Sequence, residues 1–115
     1  MSTRIDRINE LLREEISYLL VREVNDPRLQ GFVTIVEVDT SSDLKFAQVY
    51  VSVLGNEAEK QEALLGLRSA AGFLRKSLAN RIKMRSIPQL TFHGDNSIER
   101  GARLLESIHN INSDS

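Results

Sequence analysis

The chain of 115 residues contains no cysteine and no tryptophan. Disulfides, thiolate metal sites and thiol nucleophiles are therefore excluded. Its two histidines, His93 and His109, stand far apart, and no recognisable spacing of metal ligands accompanies them. His93 and Asp95, near a strand end, read as a surface pair with no nucleophile beside it. Glycine-rich phosphate loops are missing as well, since Gly66 and Gly72 form neither a P-loop nor a dinucleotide fingerprint. No apolar run approaches the ~20 residues of a membrane span. The opening MSTRIDRINELLREE lacks the continuous apolar stretch of a secretory signal. These absences predict a cytoplasmic protein that is not an enzyme and needs no cofactor or metal.

What is present is a chain of ordinary composition, with 41% apolar and 27% charged residues, long enough for one domain with a core of its own. Its formal net charge is −1, but the charge is unevenly spread. Between Glu62 and Asp95 there is no acid and there are six bases: Arg68, Arg75, Lys76, Arg81, Lys83 and Arg85. The rest of the chain carries the other nine bases against all sixteen acids.

Hydrophobic spacing sets the elements. Ile5, Ile8, Leu12, Ile16, Leu19 and Leu20 recur at helical intervals, predicting a first helix capped by Ser2 or Thr3 and stopped by Asn25-Asp26-Pro27. Its other face, including Arg4, Arg7, Glu10 and Arg13, mixes both signs and reads as a solvated surface with local ion pairs. Phe32 to Asp39 and Leu44 to Leu54 read as an antiparallel hairpin. In its second strand Ala47, Val49, Val51 and Val53 face one way, and Phe46, Gln48, Tyr50 and Ser52 the other. Asn56 is placed to cap a helix beginning near Glu57. Pro88 fits the start of a third strand, QLTFHG, with Leu90 and Phe92 on one face. A short last helix is expected over Ile98 to Ile108, opened by Asn96 and Glu99 as a capping box. The order is α-β-β-α-α-β plus a terminal helix: one α+β domain over residues 1–110, with a polar tail at 111–115.

The repeated helix in that order comes from Ala70-Ala71-Gly72. Leu67, Ala71, Leu74, Leu78 and Ile82 share one stripe, but Phe73 falls almost opposite it. A junction of two helices at Ala70-Ala71-Gly72 would re-aim the second half and bury Phe73 at the break. Arg68, Arg75, Lys76 and Lys83 form a second stripe beside the apolar one. Clustered Lys and Arg neutralise phosphates and release counterions, so all six bases are candidate RNA contacts.

Four stretches in order then resemble the ribosome-binding factor A family from Arg4 to about Ile108. They are VNDPRL (Val24 to Leu29), VEVDTSSDLKFAQVYVSVLG (Val36 to Gly55), SAAGFLRKSLANRIKMRSIPQLTF (Ser69 to Phe92) and DNSIERG (Asp95 to Gly101). The resemblance implies a KH-like fold of type II topology. An ordinary KH domain clamps nucleotides with a GXXG loop; here Gly66 is followed by Ser69, and the family's Ala-x-Gly kink is matched by Ala70-Ala71-Gly72. It also implies binding to free small (30S) ribosomal subunits and their 16S rRNA, as a monomeric assembly chaperone of late maturation and 5′-end processing, felt most in growth at low temperature. The alternative is a general KH-like RNA-binding or protein-interaction module, the latter using Phe73 and the sheet face around Phe46 and Tyr50.

Overall fold

The computed structural model describes residues 3–29 and 33–95. Helix α1 spans Arg4–Arg22 and opens as its sequence predicts. The Thr3 hydroxyl accepts the Asp6 N–H while the Asp6 carboxylate accepts the Thr3 N–H, so two donors that helix geometry leaves unpaired are satisfied. Leu12, Ile16 and Leu19 are the buried stripe. The helix closes at Glu23, before the Asn-Asp-Pro sequence, and Pro27 instead opens a 3₁₀ turn, Pro27–Leu29. That turn lies directly on the second helix. A Cβ at Gly66 would come within 3.2 Å of Arg28 Cβ and Leu29 Cγ, so the close approach depends on the missing side chain.

Strands β1 (Val33–Thr40) and β2 (Phe46–Val53) form the expected antiparallel hairpin. The pairing runs from Val33 opposite Val53 to Thr40 opposite Ala47, with a register shift between Ile35 and Glu37. Strand β3 (Gln89–Gly94) pairs parallel to β2, giving the sheet order β1-β2-β3. Parallel neighbours need a long crossover, and α2 (Glu57–Arg81) supplies it. Asn56 and Glu59 close its N-terminus as a reciprocal capping box.

Strand alternation then decides which face is buried. Ile35, Val38, Ala47, Val49, Val51, Leu90 and Phe92 point to the helices and join Leu12, Ile16, Leu19, Leu67, Leu74 and Leu78 in one core. Apart from Ala47, each such side chain contributes on the order of 1.5–3 kcal/mol through burial. Phe46, Gln48 and Tyr50 lie on the opposite face as expected, where the Tyr50 ring sits 5.4 Å from that of His93 and Gln48 Oε1 meets His93 Nε2.

The helical assignment runs unbroken through Ala70-Ala71-Gly72. Where the sequence suggests two helices meeting at Ala70-Ala71-Gly72, there is a single helix of 25 residues. Leu64, Leu67, Leu74 and Leu78 are all buried on one stripe that stays in phase across those three residues, so packing requires no re-aiming. Gly72 is exposed, with nothing within 4 Å of an added Cβ. Phe73, expected to be buried at a junction, is 46% exposed. The expected helix from Ile98 to Ile108, His109 and the boundary at residue 110 lie outside the described residues.

Candidate nucleic-acid interface

The hairpin turn between β1 and β2 is built from its own side chains. Asp43 Oδ1 accepts the Ser41 hydroxyl at 2.6 Å and the Lys45 N–H at 3.0 Å, and Ser41 Oγ accepts the Phe46 N–H. Hydrogen bonding from Ser41, then from the Lys45 backbone, holds the Asp43 carboxyl below its ordinary value. Closing this turn puts Leu44 at φ 63°, a left-handed conformation that costs a non-glycine residue roughly 1–2 kcal/mol. The strained turn carries Leu44 and Lys45 to the edge of a groove of about 880 Å³.

That groove lies between the start of α1, the hairpin turn and the segment that follows α2. Its lining includes five bases, Arg4, Lys45, Arg81, Lys83 and Arg85, against one acid, Asp43. Asp43 is already engaged by the turn. Low dielectric walls around one sign of charge strengthen its field, so the lining favours negative charge over positive.

The six bases singled out from the sequence divide into distinct settings. Arg81, Lys83 and Arg85 converge on the groove. Arg81 is also tied down: its Nε donates to Glu15 Oε2 at 2.6 Å, and its guanidinium lies 4.3 Å from the centre of the Tyr18 ring. The Glu15 hydrogen bond raises Arg81 above the ordinary arginine value, but an arginine is charged throughout, so the consequence is positional. Arg68 and Arg75 instead reach across to the third strand and its approach, donating to the carbonyl oxygens of Phe92 (3.3 Å) and Ile87 (3.0 Å). The stripe expected from Arg68, Arg75, Lys76 and Lys83 is thus not one surface: two of its members brace α2 against β3. Lys76 is exposed on α2 and does not line the groove.

Two groove bases, Arg4 and Lys45, escaped the sequence reading. Arg4 sits in a helix face of mixed charge, and Lys45 precedes a strand, so neither belongs to a run of bases. Only the chain reversal at Ser41–Lys45 and the packing of α1 beside β1 bring them to Lys83 and Arg85. Leu11 was missed for a similar reason. It borders the apolar stripe of α1, yet it is 38% exposed and lines the groove.

Comparison with known proteins fits this architecture. The family model for ribosome-binding factor A matches residues 4–108. The chain belongs to the ribosome-binding factor A family. A ribosome-binding factor A of Acetivibrio thermocellus is 47% identical over 106 residues, covering 92% of this chain and 86% of that protein. The crystal structure of ribosome-binding factor A from Thermus thermophilus superposes with a TM-score of 0.70 at 29% identity, over 78% of this chain and 93% of that one. A homology model of the Thermus thermophilus factor, fitted into a cryo-electron-microscopy map of its complex with the 30S subunit, is similar at a TM-score of 0.54 and 32% identity. That similarity covers 72% of this chain and 90% of that one. Among the described residues there is no cluster of three or more side chains able to hold a metal ion and no helix long and apolar enough to cross a membrane.

Proposed function

We propose that this member of the ribosome-binding factor A family binds the free 30S subunit through the basic groove and acts on 16S rRNA as an assembly chaperone. It holds an RNA conformation during late maturation and 5′-end processing while other enzymes cut. It works as a cytoplasmic monomer, and its loss is felt most in growth at low temperature. The observation that carries the reading is the convergence of Arg4, Lys45, Arg81, Lys83 and Arg85 on one concavity in a chain whose net charge is −1. The fitted 30S complex of the Thermus thermophilus relative supports the choice of particle. The sheet, with β1 and β2 antiparallel and β3 parallel to β2, is compatible with a KH-like domain of type II topology, which we adopt. Lys76 and the outer surface of α2 extend the proposed RNA contact, and Arg68 and Arg75 contribute to it mainly by holding α2 in place.

The test is co-sedimentation of the purified chain with small subunits and with complete ribosomes. Binding to the small subunit alone, fading as salt rises, is expected. A second reading, a protein-interaction module, draws on Phe46 and Phe73, which are 47% and 46% exposed. Binding that tolerates salt and survives nuclease treatment of the particle would favour it and overturn the groove reading.

A further inference from the structure

The groove is lined by apolar side chains as well as bases: Ile8, Leu11, Leu44, Ile82 and Met84. Ile82 is buried, Leu11 is 38% exposed, and the others are half-buried, so apolar surface and positive charge line the same concavity. A duplex does not match that arrangement. Its outer surface is phosphate and sugar, its bases are stacked inside, and pressing phosphates onto Leu and Met side chains would strip them of water without compensation. An unpaired nucleotide matches it on both counts, with a base face for the apolar side chains and a phosphate for the basic ones. The volume of about 880 Å³ falls within the range of sites that enclose a small organic group. The strained Leu44 strengthens the case, because the turn holds an apolar side chain at the groove in a backbone conformation that leucine rarely adopts.

We infer that the groove takes a single-stranded RNA segment, with an unpaired base against Leu11, Leu44 and Met84 and its backbone on Arg4, Lys83 and Arg85. Arg81, held between α1 and α2 by its ion pair with Glu15 and its contact with Tyr18, shares its charge with that carboxylate and needs no ordering when RNA arrives. This inference rests on the RNA-binding reading above and specifies the strandedness of its ligand.

The experiment measures fluorescence anisotropy of the full chain with two labelled probes: an RNA single strand of about ten nucleotides and the duplex formed with its complement. The strand is expected to bind more tightly than the duplex. Leu11→Gln is expected to weaken strand binding about fivefold, the scale of one lost apolar contact, while the salt slope and duplex binding stay unchanged. Lys83→Gln is expected to weaken both probes and lower the salt slope by about one. Circular dichroism of Leu11→Gln checks that this exposed substitution leaves the fold intact. Equal or tighter duplex binding, no binding of either probe, or an unaltered strand affinity in folded Leu11→Gln would overturn the inference. If small-subunit co-sedimentation survives alongside any of these, only the strandedness fails; if it too is absent, the reading beneath it fails.

Discussion

Arg75 and Lys83 both sit in the acid-free stretch, yet they meet different surroundings. Arg75 spends its guanidinium on the Ile87 carbonyl and so anchors the approach to β3 on α2. Arg75→Ala is expected to lower stability by about 1 kcal/mol, the net worth of such a bond at a partly exposed site, and to leave the salt slope of RNA binding nearly unchanged. Urea titration and a salt series separate the two effects. Arg81 combines an exposed ion pair, which water and salt screen, with a cation–π contact to Tyr18. Tyr18→Ala is therefore expected to destabilise the fold by about 0.5–1 kcal/mol, measured by the same titration. Sequence alone could not separate these roles. A guanidinium that donates to a carbonyl and one that waits for a phosphate have the same chemistry, and only the position of β3 relative to α2 distinguishes them.

Secondary-structure elements were more legible than sites. The caps at Thr3 and Asn56 and the alternation in β2 each follow from a local rule, so they could be read without knowing the fold. The helix through Ala70-Ala71-Gly72 could not. A glycine inside a helical pattern signals a break only if tertiary packing makes use of it, and here the buried stripe passes it in phase. Gly72→Ala is accordingly expected to stabilise the chain by up to about 1 kcal/mol, since the new methyl meets open space and alanine costs a helix less entropy than glycine. A lower melting temperature for this variant would restore a special role for the position. At the N-terminus of α1, Thr3→Ala is expected to cost about 1 kcal/mol through loss of the capping hydroxyl. The groove was illegible for a different reason: it joins residues 4–11, 43–45 and 81–86, and no window of sequence contains them together.

At the scale of the molecule, several acids hold together local structure while five bases converge on one groove. Asp6, Glu10, Asp26 and Asp43 are each held below their ordinary carboxylate values, chiefly by bonds from the Thr3 backbone and from the Arg13, Arg28 and Ser41 side chains respectively. A carboxylate whose value is lower when folded stabilises the fold above its unfolded value, and that contribution is lost as pH falls through the folded one. Stability is therefore expected to decline below about pH 4, which thermal melts across pH would register; a chain equally stable in that range would contradict the assigned bonds.

A grip of the groove bases on the small subunit is what we propose. The most direct measurement is the salt dependence of small-subunit binding for the natural chain and for a Lys83→Glu/Arg85→Glu double variant. Binding at least about tenfold weaker at low salt is expected for the variant, with a shallower dependence of affinity on salt and an unchanged circular dichroism spectrum. An affinity and a salt slope equal to those of the natural chain would contradict it.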